Sequence, residues 1–102
     1  LTEIVSIVEP QIQDILSPAS FIQGFAPELI GDPVQPEDVL NMYSDTRGGL
    51  VFYNYELKSH WIISATVYQR RVYIIALHGT ALQWKRNFDR MKRTALSFCI
   101  LI

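Results

Sequence analysis

Trp84, Phe88, Met91, Ala95 and Phe98 recur at steps of four, three, four and three, which traces one apolar stripe at helical spacing. Leu82 and Leu96 widen the stripe, and Lys85, Arg86, Lys92 and Arg93 fall off it. Thr80 stands where an N-cap belongs, so the pattern predicts a helix from near Thr80 to about Ser97. Trp84, Phe88 and Met91 are expected in its core-facing side. Upstream the period drops to two. Leu50–Leu57, His60–Val67 and Val72–Leu77 read as strands, the last two joined by a turn at Tyr68-Gln69-Arg70-Arg71 that demands antiparallel pairing. Val39–Tyr43 is compatible with helix or strand. The turn cluster Asp45-Thr46-Arg47-Gly48-Gly49 favours a strand paired with Leu50–Leu57.

Towards the N-terminus, Ile4–Val8 is a β-branched run and reads as a further strand. Ser17-Pro18 is a helix-start signature, and Phe21, Ile22, Phe25 and Leu29 share one face of the helix that follows. Gly24 and Pro27 weaken that helix, and Gly31-Asp32-Pro33 ends it. The hairpin strands are apolar on both faces, whereas a sheet wetted on one side alternates more cleanly. The expected fold class is therefore α+β: an antiparallel β-sheet sandwiched between helices, an α/β/α sandwich.

The 102 residues suit one domain, and 49% apolar with 19% charged residues excludes a disordered chain. No apolar run reaches the roughly 18 residues of a membrane span, and no signal or transit segment is legible, so the chain is expected to be a mature or truncated form. The single cysteine, Cys99, cannot form an internal disulfide; it lies in an apolar run and is expected to be a small buried thiol. The net charge of −1 conceals an asymmetry. Residues 1–44 hold seven acids and no Lys or Arg, while residues 81–102 hold Lys85, Arg86, Arg90, Lys92 and Arg93 against Asp89 alone. Folding that keeps the halves apart would give opposed electrical faces.

Chemistry is sparse. His60 opens one strand and His78 closes the next, and two histidines can begin a metal site. Zinc takes three or four ligands, and no neighbouring Cys, Asp or Glu completes the set. They read as strand-end histidines, with a ligand- or metal-binding cleft beside His60 and His78 as the alternative. No nucleophile elbow or phosphate-cradling glycine loop is present, which argues against an enzyme. The five bases of the last helix form the candidate contact surface. With a pI near 6.1 and no aromatic–basic interleaving on a strand, an acidic protein partner fits them better than nucleic acid.

From Leu50 to Phe98 the sequence resembles the PsbP family, extrinsic and auxiliary proteins of photosystem II on the lumenal side of the thylakoid membrane. The resemblance is carried by LVFYNYEL, by HWIISATVYQRRVYIIAL and by QWKRNFDRMKRTALSF, with matches at Tyr53, His60, Ala65, Thr66, Val67, Tyr73, Trp84, Ser97 and Phe98. It implies the same helix-covered antiparallel sheet. It also implies a non-enzymatic lumenal protein that binds or helps assemble a photosynthetic membrane-protein complex, photosystem II foremost. In that light residues 1–102 are expected to be one PsbP-like domain lacking the family's N-terminal strands, with a loop near Lys58-Ser59 that is longer in relatives. Some relatives pair the histidine matching His60 with an acid before the helix tryptophan to hold a divalent cation such as calcium. Here Ala81 stands in place of that acid, which leaves His60 a weak metal ligand.

Overall fold

The computed structural model describes residues 10–100. The expected strand at Ile4–Val8 lies outside the described residues. Two helices come first, α1 (Ile12–Ile15) and α2 (Pro18–Ile30), followed by a 3₁₀ turn at Pro36–Asp38. Four strands then run consecutively, β1 (Val39–Arg47), β2 (Leu50–Leu57), β3 (Trp61–Tyr68) and β4 (Arg71–His78), and α3 (Ala81–Ser97) closes the order. The strands form an antiparallel meander in the order β1-β2-β3-β4. α2 and α3 cover its two faces, so the α+β sandwich read from the strand pattern is the fold observed. The one-turn helix α1 was not legible, because four residues carry no periodicity.

Each helix starts where local chemistry sets it. Ser17 Oγ accepts from Ser20 N at 3.2 Å, and Pro18 takes the first helical position of α2. α2 runs through Gly24 and Pro27, both on its exposed side, and stops at Gly31, whose φ of 81° turns the chain and whose N–H donates to Pro27 O at 3.1 Å. Thr80 and Gln83 form a reciprocal capping box at the start of α3, with hydrogen bonds of 2.8 and 3.1 Å.

The first core lies between α1, α2 and one face of the sheet. Ile12, Phe21, Ile22 and Ala26 meet Tyr53, Tyr55, Leu57, Ile63, Ala65 and Val67, all buried. Phe21 stacks on Phe25 at 4.6 Å and faces Tyr53 and Tyr55 at 6.2 and 6.3 Å. The tyrosine hydroxyls satisfy themselves on the α1–α2 connection: Tyr53 donates to Leu16 O and Tyr55 to Pro18 O, each at 2.7 Å. Burial pushes the Tyr55 hydroxyl far above its ordinary pKa, so it stays a donor. Beyond Tyr53↔Ala65 the register of β2 and β3 ends, and side chains stand in for the ladder. Val51 N donates to Gln11 Oε1 at 3.0 Å, and Thr66 Oγ1 donates to Val51 O at 2.7 Å.

The hairpins correct one expectation. Asp45–Arg47 belong to β1, and only Gly48-Gly49 turn, with φ of 58° and 83°. That is the both-positive backbone of a two-residue hairpin, which glycine adopts without strain. The β3–β4 turn places Gln69 (φ 51°) and Arg70 (φ 62°) in the same region, where L side chains are disfavoured. Arg70→Gly is expected to raise stability by about 1 kcal/mol, read as a higher denaturant midpoint at unchanged m-value. A lower midpoint would show that Arg70 makes a compensating contact.

Candidate interaction surface

α3 covers the second face of the sheet, where Asn54, Glu56, Ser64 and Thr66 are all buried. Its apolar stripe turns inward less completely than the spacing implies. Trp84, Phe88 and Met91 are half-buried rather than core, and Ala95 is the fully buried residue of the helix. Trp84 lies 4.8 Å from Phe88 and 5.4 Å from the ring of His60.

A charged clamp supplies the rest of the attachment. Arg47, at the end of β1, reaches under the C-terminus of α3. Its Nε and Nη2 fork onto Asp45 at 2.8 and 2.9 Å. Nη2 also donates to Asn54 Oδ1 at 2.6 Å, and Nη1 donates to Ser64 Oγ, Ala95 O and Phe98 O at 3.0, 3.1 and 2.8 Å. The guanidinium sits 4.4 Å over the Phe52 ring. Asn54 Nδ2 and Ser64 Oγ close the network on Asp45 and on Asn54. A cation thus meets carbonyls at the negative end of the α3 dipole, Ala95 O, which also accepts from Phe98 N, and Phe98 O. Burial alone would raise the Asp45 pKa; hydrogen bonds from Arg47 and Asn54, with the Arg47 charge, outweigh it and hold the carboxyl below its ordinary value.

The five bases predicted as a contact surface divide. Lys85, Arg86, Arg90 and Arg93 are exposed, and among the described residues none has a carboxylate within ion-pair distance. Lys92 departs from the expectation. It turns onto Glu56 of β2 at 3.2 Å and lies 5.5 Å from the Tyr43 ring. The contact is charge–charge rather than a directed bond: Glu56 Oε2 is buried and accepts no well-aligned hydrogen bond. The Glu56 carboxylate still holds the Lys92 ammonium above its ordinary pKa, against the opposing effect of burial. Lys92 is therefore a fastener of α3, not part of its outer face.

The acids lie on the other side. Asp14, Glu28, Asp32 and Glu37 are exposed on and beside the α1–α2 layer. The sheet lies between the two charge sets, and within α3 Asp89 is the one acid beside the four exposed bases.

His60 and His78 do not converge. The His60 ring rests beside Trp84, while His78 stacks on Trp61 at 4.3 Å. Among the described residues no three His, Cys, Asp or Glu side chains gather with metal-binding spacing. His60 also occupies φ 68° in the three-residue β2–β3 connection, where its N–H donates to Leu57 O. Cys99 is exposed, contrary to the expectation of burial, because α3 ends at Ser97 before reaching it. The residues that sequence reasoning missed are Arg47, Asn54, Glu56 and Ser64. One signal was available: polar residues within strands covered on both faces must have buried partners.

Comparison with known proteins adds one relative. The chain is 38% identical over 92 residues to the PsbP domain-containing protein 4, chloroplastic, of Arabidopsis thaliana. The match covers 89% of this chain, and the chain spans 35% of the relative's length. No family model and no solved structure matches. With that identity running through the meander and the basic helix that carried the resemblance, the chain belongs to the PsbP family.

Proposed function

We propose that this chain acts in the chloroplast thylakoid lumen as a non-enzymatic auxiliary or assembly factor, docking on a photosynthetic complex, photosystem II foremost, through the outer face of α3. The observation that carries the reading is the set of four exposed cations, Lys85, Arg86, Arg90 and Arg93, unpaired among the described residues and set apart from the acids by the sheet. A patch of net positive charge, four bases against Asp89, steers an acidic partner and fixes register. The Arabidopsis relative is chloroplastic, which supports the compartment. No helix among the described residues is long and apolar enough to cross a membrane.

The test is capture of photosystem II subunits from solubilised thylakoids. The variant Arg86→Glu/Arg90→Glu reverses two charges on exposed positions and touches neither the Arg47 clamp nor Lys92. It is expected to weaken capture about tenfold at low salt, with a shallower dependence on ionic strength. Equal capture by both proteins at every salt concentration would eliminate the face as the docking site.

A further inference from the structure

β4 is an outer strand of the sheet: among the described residues nothing pairs with its free edge. The register Tyr68↔Arg71 across a two-residue turn fixes which groups face outward. Residues 71, 73, 75 and 77 bond to β3, so Val72, Ile74, Ala76 and His78 present N–H and C=O groups to the open side. Gly79 N donating to His60 O continues the inward alternation. Strand edges are ordinarily guarded by a bulge or by charge. β1 has both, with a register shift between Val39 and Asn41 and with Asp45 and Arg47. β4 has neither between Val72 and Leu77.

The space on either side of this edge is shaped for side chains. On the α3 side a cavity of about 320 Å³ runs between helix and strand, floored by Leu77 and Met91 and walled by His78, Asn87, Arg90 and Thr94. On the α1–α2 side, at the opposite end of β4, a cavity of about 160 Å³ is lined by Ile15, Leu16, Phe25 and Val72. Ile15 and Val72 are respectively 51% and 42% exposed. The first holds a cation and hydrogen-bonding groups; the second is apolar apart from Arg70 at its rim. Successive side chains of an added strand point to opposite faces, so those of one parity would reach the first space at the His78 end and those of the other parity the second at the Val72 end.

We infer that β4 is a strand-addition site for an extended acidic peptide segment of a partner protein, with apolar side chains toward Ile15 and Val72 and carboxylates toward Arg90. Charge selects this occupant over a second copy of the chain. Arg70 and Arg71 stand at one end of β4 and Arg90 lines the cavity at the other, so two copies paired antiparallel edge to edge would oppose like charges. The inference rests on the basic-face reading for the sign of the partner and adds the mode of recognition.

The probe is a blocked eight-residue peptide of alternating glutamate and valine, matched to the length of β4. On saturation the amides of Val72, Ile74, Ala76 and His78 are expected to slow in hydrogen exchange by about tenfold or more, with little change at the inward amides. The same peptide N-methylated at alternate residues keeps its charge but loses its donors, and is expected to bind at least tenfold more weakly. So is the wild-type peptide to Val72→Pro, which removes an outward donor at an exposed side chain. Equal binding of the methylated peptide would reduce the contact to charge adsorption and overturn the proposal. Outward amides already protected in the free chain, or a peptide that protects only α3, would overturn it too. Loss of peptide binding in Val72→Pro alongside unchanged photosystem capture by Arg86→Glu/Arg90→Glu would sink the basic-face reading alone. Intact peptide binding in a folded Val72→Pro would sink the edge alone.

Discussion

Replacing Arg47 with leucine is expected to destabilise the fold by about 2–4 kcal/mol, the cost of removing a largely buried cation from a hydrogen-bonded network. The guanidinium is 10% exposed and its Asp45 partner 37%. Its loss strands the Phe98 carbonyl at the end of α3, and leaves Asp45 held by Asn54 Nδ2 alone, Asn54 Oδ1 by Ser64 Oγ and Ala95 O by Phe98 N. At about 4–8 °C per kcal/mol for a domain near this size, the melting temperature should fall by more than about 8 °C. Arg47→Lys keeps the charge but not the fork, and is expected to recover only part of the loss. A second readout isolates the mechanism. Asp45 has a lowered pKa in the folded chain, so its stabilising contribution is complete above the unfolded value and is lost as the pH falls through the folded one. Wild type should therefore weaken on acidification through that window, and Arg47→Leu should weaken less. A shift of only a degree or two, with an unchanged acid limb, would mean that Arg47 is peripheral to the attachment of α3.

Phe21→Ala is the second large effect, expected at about 3–5 kcal/mol. Phe21 is 1% exposed, and its ring is the point where α2 meets both core tyrosines. Removing it opens a cavity between Phe25, Tyr53 and Tyr55 that backbone tied by the Tyr53–Leu16 and Tyr55–Pro18 hydrogen bonds cannot readily close. The same truncation at half-buried Trp84 is expected to cost less than half as much, despite the larger side chain. Thermal or denaturant unfolding of the two variants ranks them directly. A greater loss at Trp84 would contradict the division of the molecule into a dry α2 core and a polar, clamped α3 interface.

That division explains what was legible before the coordinates. The apolar runs of β2 and β3 announced a sheet covered twice, because period-two patterning fails when both faces are dry. Ser17-Pro18, Gly31 and Thr80 marked helix ends through bonds spanning three or four residues, which a linear reading captures. Asp45-Thr46-Arg47 was misread for the converse reason. Beside Gly48-Gly49 the triplet has turn composition, and the partners outside it that make Arg47 a clamp lie 7 to 51 residues away.

The exposed cations of α3 were visible as the bases of its last helix, Lys85, Arg86 and Arg93 among those off the apolar stripe, and sequence alone settled their spacing. Whether each faced solvent was decided in three dimensions. Lys92 sits off the stripe like the others, yet it turns inward because β2 brings Glu56 beneath it. His60 and His78 look like a pair at the mouth of a hairpin, but each ring packs on a different tryptophan. Periodicity along the chain thus determined the elements, their order and the apolar faces, since these depend on neighbours a few residues apart. The burial of Arg47, the loss of Lys92 from the surface and the edge of β4 left open among the described residues were fixed only by the packing of distant segments, which no local window contains.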